Sequence, residues 1–138
     1  MDEADVTMKL KVLGYWATTA LVAFAVLSGG AAEVARRPDN VEGLVHLGYP
    51  VYFATIIGLW KVLGGIAVLA PRFPRLEEWA YAGIFFNLTG AAVSHAVSGD
   101  AAWHVIVTAS LAALAIASWA LRPPSRTLGV VFPVGSGA

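Results

Sequence analysis

The sequence predicts an all-α protein: a membrane-spanning four-helix bundle running up, down, up and down, with both termini cytoplasmic. Three observations predict it. Hydrophobic residues fill 58% of the 138 positions and charged residues only 13%, against about 25% charged in an ordinary soluble domain. Too little charge is available to dress a globule of this size, so lipid is the solvent that fits. Four stretches, 12–32, 51–70, 79–97 and 103–121, each supply the roughly 20 mostly apolar residues that a membrane helix needs. The breaks between them hold the Pro, Gly and charged residues that hydrocarbon rejects. One transmembrane domain is therefore expected over 1–138.

Each element has a local reason. Met1 to Asp5 is acidic, and the apolar run after it is too long for a cleaved signal, so it reads as a retained first span. The ends, 1–7 and 128–138, are expected to fray. Arg36-Arg37-Pro38-Asp39-Asn40 closes the first span's connection. Residues 41–47 are too few to cross and are expected as a short surface helix over the mouth of the bundle. Gly48-Tyr49-Pro50 reads as a turn, with Pro50 near the first turn of the second span, where its missing N–H costs nothing. Pro71-Arg72-Phe73-Pro74-Arg75 makes a tight basic loop. Ser98-Gly99-Asp100 makes a hairpin in which Asp100 is placed to cap the fourth span. Arg122-Pro123-Pro124 stops that span.

Orientation follows from the basic residues near span ends. Lys9, Lys11, Arg72, Arg75, Arg122 and Arg126 gather at one end, and Arg36 and Arg37 at the other. Trp16, Trp79, Trp103, Trp119, Tyr15, Tyr49 and Tyr52 stand near span ends, as an interfacial belt requires. Small residues let membrane helices approach. Their expected stripes are Gly14, Thr18, Ala25, Ser28 and Ala32 on the first span, and Ala54, Gly58, Lys61 and Gly65 on the second. The third offers Ala80, Gly83, Asn87, Ala91 and Ser94, and the fourth His104, Thr108, Ala115 and Ser118.

Several function classes are excluded or disfavoured. Net charge is zero, and no basic stripe of the kind that binds nucleic acid is present. With no cysteine, thiolate metal sites and CxxC redox chemistry are impossible within the chain. The histidines lack HxxH or HxxxH spacing, so no metal site is expected. Walker, GxSxG and HExxH motifs are missing too.

The candidate residues are the polar groups at membrane depth. Lys61 lies mid-span, where a charged amine costs about 2.5–3.5 kcal/mol on insertion scales. It shares a face with Gly58 and Gly65 and should point inward. It either serves a ligand or snorkels to the cytoplasmic interface to pair with Glu77 or Glu78. Glu33, His95, His104, Asp100 and His46 gather by topology at the opposite mouth. There Glu33 and His95 offer a carboxylate–imidazole pair suited to proton transfer, or else are solvated interfacial groups. Lys61, Glu33 and His95 are thus the candidate catalytic groups. Lys61, Tyr81, Asn87, Tyr52 and Glu78 are the candidate ligand contacts. Asn87 reads equally as an interhelical hydrogen bond, and Tyr52 and Tyr81 as cavity lining or interfacial anchors.

At this point the sequence resembles a known family. Leu47-Gly48-Tyr49-Pro50-Val51-Tyr52 followed by Trp60-Lys61-Val62-Leu63-Gly64, then Pro74-Arg75-Leu76-Glu77-Glu78-Trp79-Ala80-Tyr81-Ala82-Gly83, then Ser94-His95 with Gly99-Asp100, resemble the DoxX-like family in order over roughly residues 10–122. Relatives commonly carry a basic residue where Glu77 stands, which makes Glu78 the shared carboxylate. The resemblance implies a small four-helix protein of the bacterial cytoplasmic membrane, associated with membrane redox systems. It suggests a quinone or other apolar ligand held in the bundle, with Lys61 and Tyr81 on its oxygens and Glu33 and His95 handling protons. No redox centre is encoded, so a partner redox protein or a bound cofactor has to supply electrons. The alternatives are an isomerase-type enzyme acting on an apolar substrate and a noncatalytic scaffold or chaperone. A homodimer is compatible with so small a bundle.

Overall fold

A computed structural model describes residues 1–128. The expected terminal stretch 128–138 therefore lies, beyond its first residue, outside the described residues. The described chain is all helical. The helices are α1 (Glu3–Val34), α2 (Pro38–His46), α3 (Val51–Leu69), α4 (Pro74–Val97) and α5 (Ala102–Ala120), with a 3-10 turn at Pro124–Arg126. Length and composition make α1, α3 and α5 apolar enough to cross a membrane. The 24-residue α4 is long enough, but Glu77, Glu78, Asn87 and His95 dilute its apolar character.

Several boundaries differ from expectation. The segment 1–7 is not frayed, because α1 begins at Glu3, with Glu3 and Asp5 in a first turn that favours acidic groups. Pro38 and Pro74 open α2 and α4 at positions where no N–H is missed. Pro50 stands just before α3, as its N-cap. The short surface helix exists, and it packs on α3 and α1.

The four long helices form a ring in which α1 lies between α3 and α5, and α4 between the same two. Close contacts fix each pairing. Gly30 of α1 meets Gly58 of α3, while Leu27 meets Gly65. Thr19 of α1 bonds Ser118 of α5, and Trp119 of α5 bonds Glu78 of α4. The core is Val22, Val26, Val68, Tyr81, Ile84, Leu88, Ala112 and Ala115.

Two of the four expected stripes are buried as anticipated: Ala54, Gly58 and Gly65 on α3, and Ala115 and Ser118 on α5. The other two are rotated by one residue. α1 buries Tyr15, Thr19, Val22, Ala23, Val26, Gly30 and Glu33, and Ser28 is exposed. α4 buries Glu77, Tyr81, Ile84 and Leu88, and Gly83 is exposed. A one-residue step turns a helix by about 100°, so Tyr15, Val22 and Val26 from α1 and Tyr81, Ile84 and Leu88 from α4 are buried in place of the expected stripe residues. Tyr15 is consequently a core residue and no interfacial anchor.

Candidate functional site

Three polar constructions interrupt the apolar bundle. The first joins α1 and α3. Gly30 and Gly58 bring the two backbones so close that a Cβ on Gly58 would lie 2.8 Å from the Gly30 carbonyl oxygen and 2.8 Å from Glu33 Cβ. This approach delivers Lys61 Nζ to Glu33 Oε1 at 2.7 Å. The carboxylate is nearly sealed, its side chain 7% exposed, and the amine is 21% exposed. Lys61 therefore does not reach Glu77 or Glu78. The reason is directional: helical side chains lean toward their own N-terminus. In α3 that end is shared with the C-terminal end of α1, where Glu33 stands.

Beside this pair, a groove of about 720 Å³ lies between α3 and α4. Its lining is almost wholly apolar, with Ile57, Leu63, Leu76 and Ile84 among the contributors, and Trp60 and Trp79 also line it. Both indoles are exposed on the outer surface of the bundle, Trp79 by 82%. Lys61 from one wall and Asn87 from the other are its polar members. Gly64 and Gly83 also line the groove and keep those walls low.

The second construction closes the α2 end. Gly99 adopts φ +72°, and the Asp100 N–H bonds the His95 carbonyl at 3.1 Å. That left-handed turn, natural for glycine, folds Asp100 back beside its own helix. One Asp100 oxygen meets His95 Nδ1 at 2.7 Å and the other meets His46 Nε2 of α2 at 2.6 Å. His104 stacks on His95 with ring centres 4.9 Å apart. Asp100 thus clasps α2 to α4 and does not cap α5, whose N-cap is Ala101 with no side-chain cap bond. His95 is engaged here while Glu33 is engaged by Lys61, so the expected Glu33–His95 proton-transfer pair does not form.

The Asp100 carboxyl is held below its ordinary range, first by the hydrogen bond to His95 and then by that to His46. A carboxylate depressed in the folded state adds stability above its unfolded pKa, near 3.9, and loses it as pH falls through the lower folded value. Asp100→Asn should therefore lower the thermal midpoint at neutral pH. The gap from wild type should narrow on acidification below about pH 4. A gap that stays constant through that range would contradict this account.

The third construction closes the end nearer the chain termini. Arg122, buried at the end of α5, pairs with Glu78 and donates to the Trp119 carbonyl at 3.0 Å. Trp119 Nε1 donates to the other Glu78 oxygen at 2.8 Å. Arg126 reaches the Val68 and Leu69 carbonyls at the end of α3, Glu77 Oε1 at 3.4 Å, and the rings of Tyr15 and Trp16. Deeper in, Ser118 Oγ bonds both Thr19 and Tyr81, at 2.6 and 2.7 Å.

The match that decides the family covers most of this architecture: the family model described as the DoxX-like family matches residues 17–118. The chain belongs to the DoxX-like family. It is also similar to a Bacillus subtilis protein, "Uncharacterized protein YdgD", with 33% identity over 75 residues. That match covers 54% of this chain, and the chain spans about 65% of the relative's length. No solved structure matches. Family and apolar helices together mark the DoxX-like chain as a membrane protein with transmembrane helices.

Of the candidate residues in this DoxX-like protein, Lys61 and Asn87 line one groove, with Glu33 behind Lys61. Tyr81 and Glu78 belong instead to the terminal-end network and line a smaller groove between α4 and α5. Tyr52 is exposed and lines neither groove, and His95 lies in the Asp100 clasp. Sequence reasoning missed the pairing roles of Arg122 and Arg126. A signal was present, since both basic residues follow α5 at the end where α4 begins with two carboxylates.

Proposed function

We propose that this DoxX-like protein is a redox-associated membrane subunit that holds a quinone-class molecule, a flat ring with carbonyl oxygens and an apolar tail, in the α3–α4 groove. The observation that carries the reading is the groove itself: about 720 Å³, within the usual range of about 300–1,000 Å³ for small-molecule sites. Its apolar walls suit the ring and tail, and the Lys61 amine and Asn87 amide supply donors for ring oxygens. The exposed Trp60 and Trp79 indoles offer faces for stacking. A bound quinone would supply two-electron redox chemistry, with electrons delivered by a partner redox protein. The chain's own part is to bind, orient and desolvate. In this reading all four long helices cross the bacterial cytoplasmic membrane, up-down-up-down as a single domain, with both termini cytoplasmic by the balance of basic residues.

The test uses detergent-extracted, full-length protein and a short-tailed benzoquinone. Saturable quenching of tryptophan fluorescence is expected, together with a raised thermal midpoint. Asn87→Leu should weaken binding about threefold to tenfold, the worth of one net hydrogen bond. Trp79→Phe should remove part of the quenchable signal. Quenching that never saturates, with no thermal shift, would overturn the reading. Cellular function that survives Asn87→Leu and Lys61→Met alike would point to the scaffold alternative.

A further inference from the structure

The smaller groove, of about 290 Å³, shares no lining residue with the α3–α4 groove. Ala82, Phe85 and Phe86 of α4 and Ala115 and Ile116 of α5 form its apolar walls. Phe86 is 70% exposed and Ile116 49%, so the groove lies on the outer flank of the bundle. Along α4 it runs from Glu78 to Phe86, about 12 Å at the rise of an α-helix. Three polar side chains also line it, and each is already engaged within the protein. The Tyr81 hydroxyl bonds Ser118, Trp119 Nε1 donates to Glu78, and the other Glu78 oxygen takes Arg122. A guest lying there needs no polar group of its own, and a hydrocarbon chain meets that condition.

The loop end of the groove has a different character. Arg75 stands one turn before Glu78 on the same face of α4, since positions 75, 78, 82 and 85 follow helical spacing. Residues three apart on a helix have Cβ atoms about 5–6 Å from each other. Arg75 is exposed, and among the described residues it makes no ion pair. The two carboxylates that follow it on α4 are taken: Glu78 by Arg122 and Glu77 by Arg126. An apolar trough that ends beside an unmatched guanidinium has the polarity of a fatty chain that ends in an anion.

We propose that the α4–α5 groove seats one acyl chain of an acidic phospholipid, with the lipid phosphate on Arg75. The arginine fork matches phosphate oxygens. Helical side chains lean toward their own N-terminus, which in α4 is the loop end, so the guanidinium is directed away from the groove and toward headgroup level. A zwitterionic headgroup would bring its own cation beside Arg75, whereas an acidic one leaves the attraction whole. The proposal rests on α4 lying in the membrane beside α5, as in the topology proposed above, but not on the ligand proposed for the α3–α4 groove.

Native mass spectrometry of gently extracted, full-length protein tests it, with phosphatidylglycerol and phosphatidylcholine of identical chains added in equal amounts. Wild type should retain phosphatidylglycerol about fivefold over phosphatidylcholine, the worth of one basic residue against acidic lipid. Arg75→Gln should bring the two lipids close to parity. Arg72→Gln, in the same loop and also exposed, should keep the preference. Ala82→Trp fills the groove from an exposed position and should remove most of the bound lipid of both kinds. Asn87→Leu, in the other groove, should change neither, so loss of the quinone reading would leave this one standing. No preference in wild type overturns the proposal. So do equal effects of Arg72→Gln and Arg75→Gln, which would mean a diffuse basic end, and undiminished lipid retention in Ala82→Trp, which would place the chain elsewhere.

Discussion

Lys61→Met is expected to destabilise the bundle strongly, while the double variant Lys61→Met/Glu33→Gln recovers most of the loss. Among the described residues, the single substitution leaves the Glu33 carboxylate with neither of its oxygens paired, since Oε2 already has no partner there. Its side chain is 7% exposed, so water gives little help. Removing one partner of a buried ion pair typically costs about 3–5 kcal/mol, whereas replacing both with groups of similar shape is often nearly neutral. The lower figure, about 3 kcal/mol, suits a pair whose amine retains some exposure. Unfolding in graded detergent mixtures, run on both variants, measures the difference. Equal losses in the single and double variants would show that Lys61 matters for itself and not as the counterion of Glu33.

Gly58→Ala should be nearly as damaging, and in the opposite sense from helix propensity. In an open helix this change stabilises by about 1 kcal/mol. Here the new methyl would stand 2.8 Å from the Gly30 carbonyl oxygen and 2.9 Å from the Val34 backbone nitrogen. Backbone atoms cannot swing aside as a side-chain tip can, so α1 and α3 have to part. Overpacking of this kind costs about 1–3 kcal/mol, and separation of the helices also draws Glu33 away from Lys61. A net loss of about 2 kcal/mol is expected. Gly90→Ala is the control, because no atom lies within 4 Å of its added methyl, and it should be neutral or slightly stabilising. Matching shifts in the two variants would mean that the tight α1–α3 seam carries no weight.

The contrast between these glycines shows what the sequence discloses and where it stops. Apolar run lengths and the Pro- and Gly-rich breaks located α3 and α5 to within a residue of their observed ends. The small-residue rule worked on those helices because Gly58, Gly65, Ala115 and Ser118 do face their neighbours. It failed by one position on α1 and α4, where Tyr15, Val22, Ile84 and Leu88 occupy the interior. Both helices carry small residues on adjacent faces, so composition alone does not select the stripe. The Lys61–Glu33 pair was legible in principle. The lean of helical side chains toward the N-terminus sends the Lys61 amine toward the end of α1, and Glu33 is the acidic residue that α1 buries there. The Asp100 clasp was less accessible, because it depends on a left-handed Gly99 and on where α2 comes to rest. The groove was not legible at all. It is lined by residues of α1, α3 and α4 together, and no local pattern encodes how those helices come to face one another.

The sideways mouth of that groove has a thermodynamic corollary. Trp60, Leu63 and Trp79 show large apolar surfaces on the flank of the bundle, so a guest would come from the surrounding lipid phase and not from bulk buffer. Occupancy would then be governed by the guest's mole fraction among the lipids. Adding empty vesicles at fixed total guest should drain the site, even though nothing in the aqueous medium has changed.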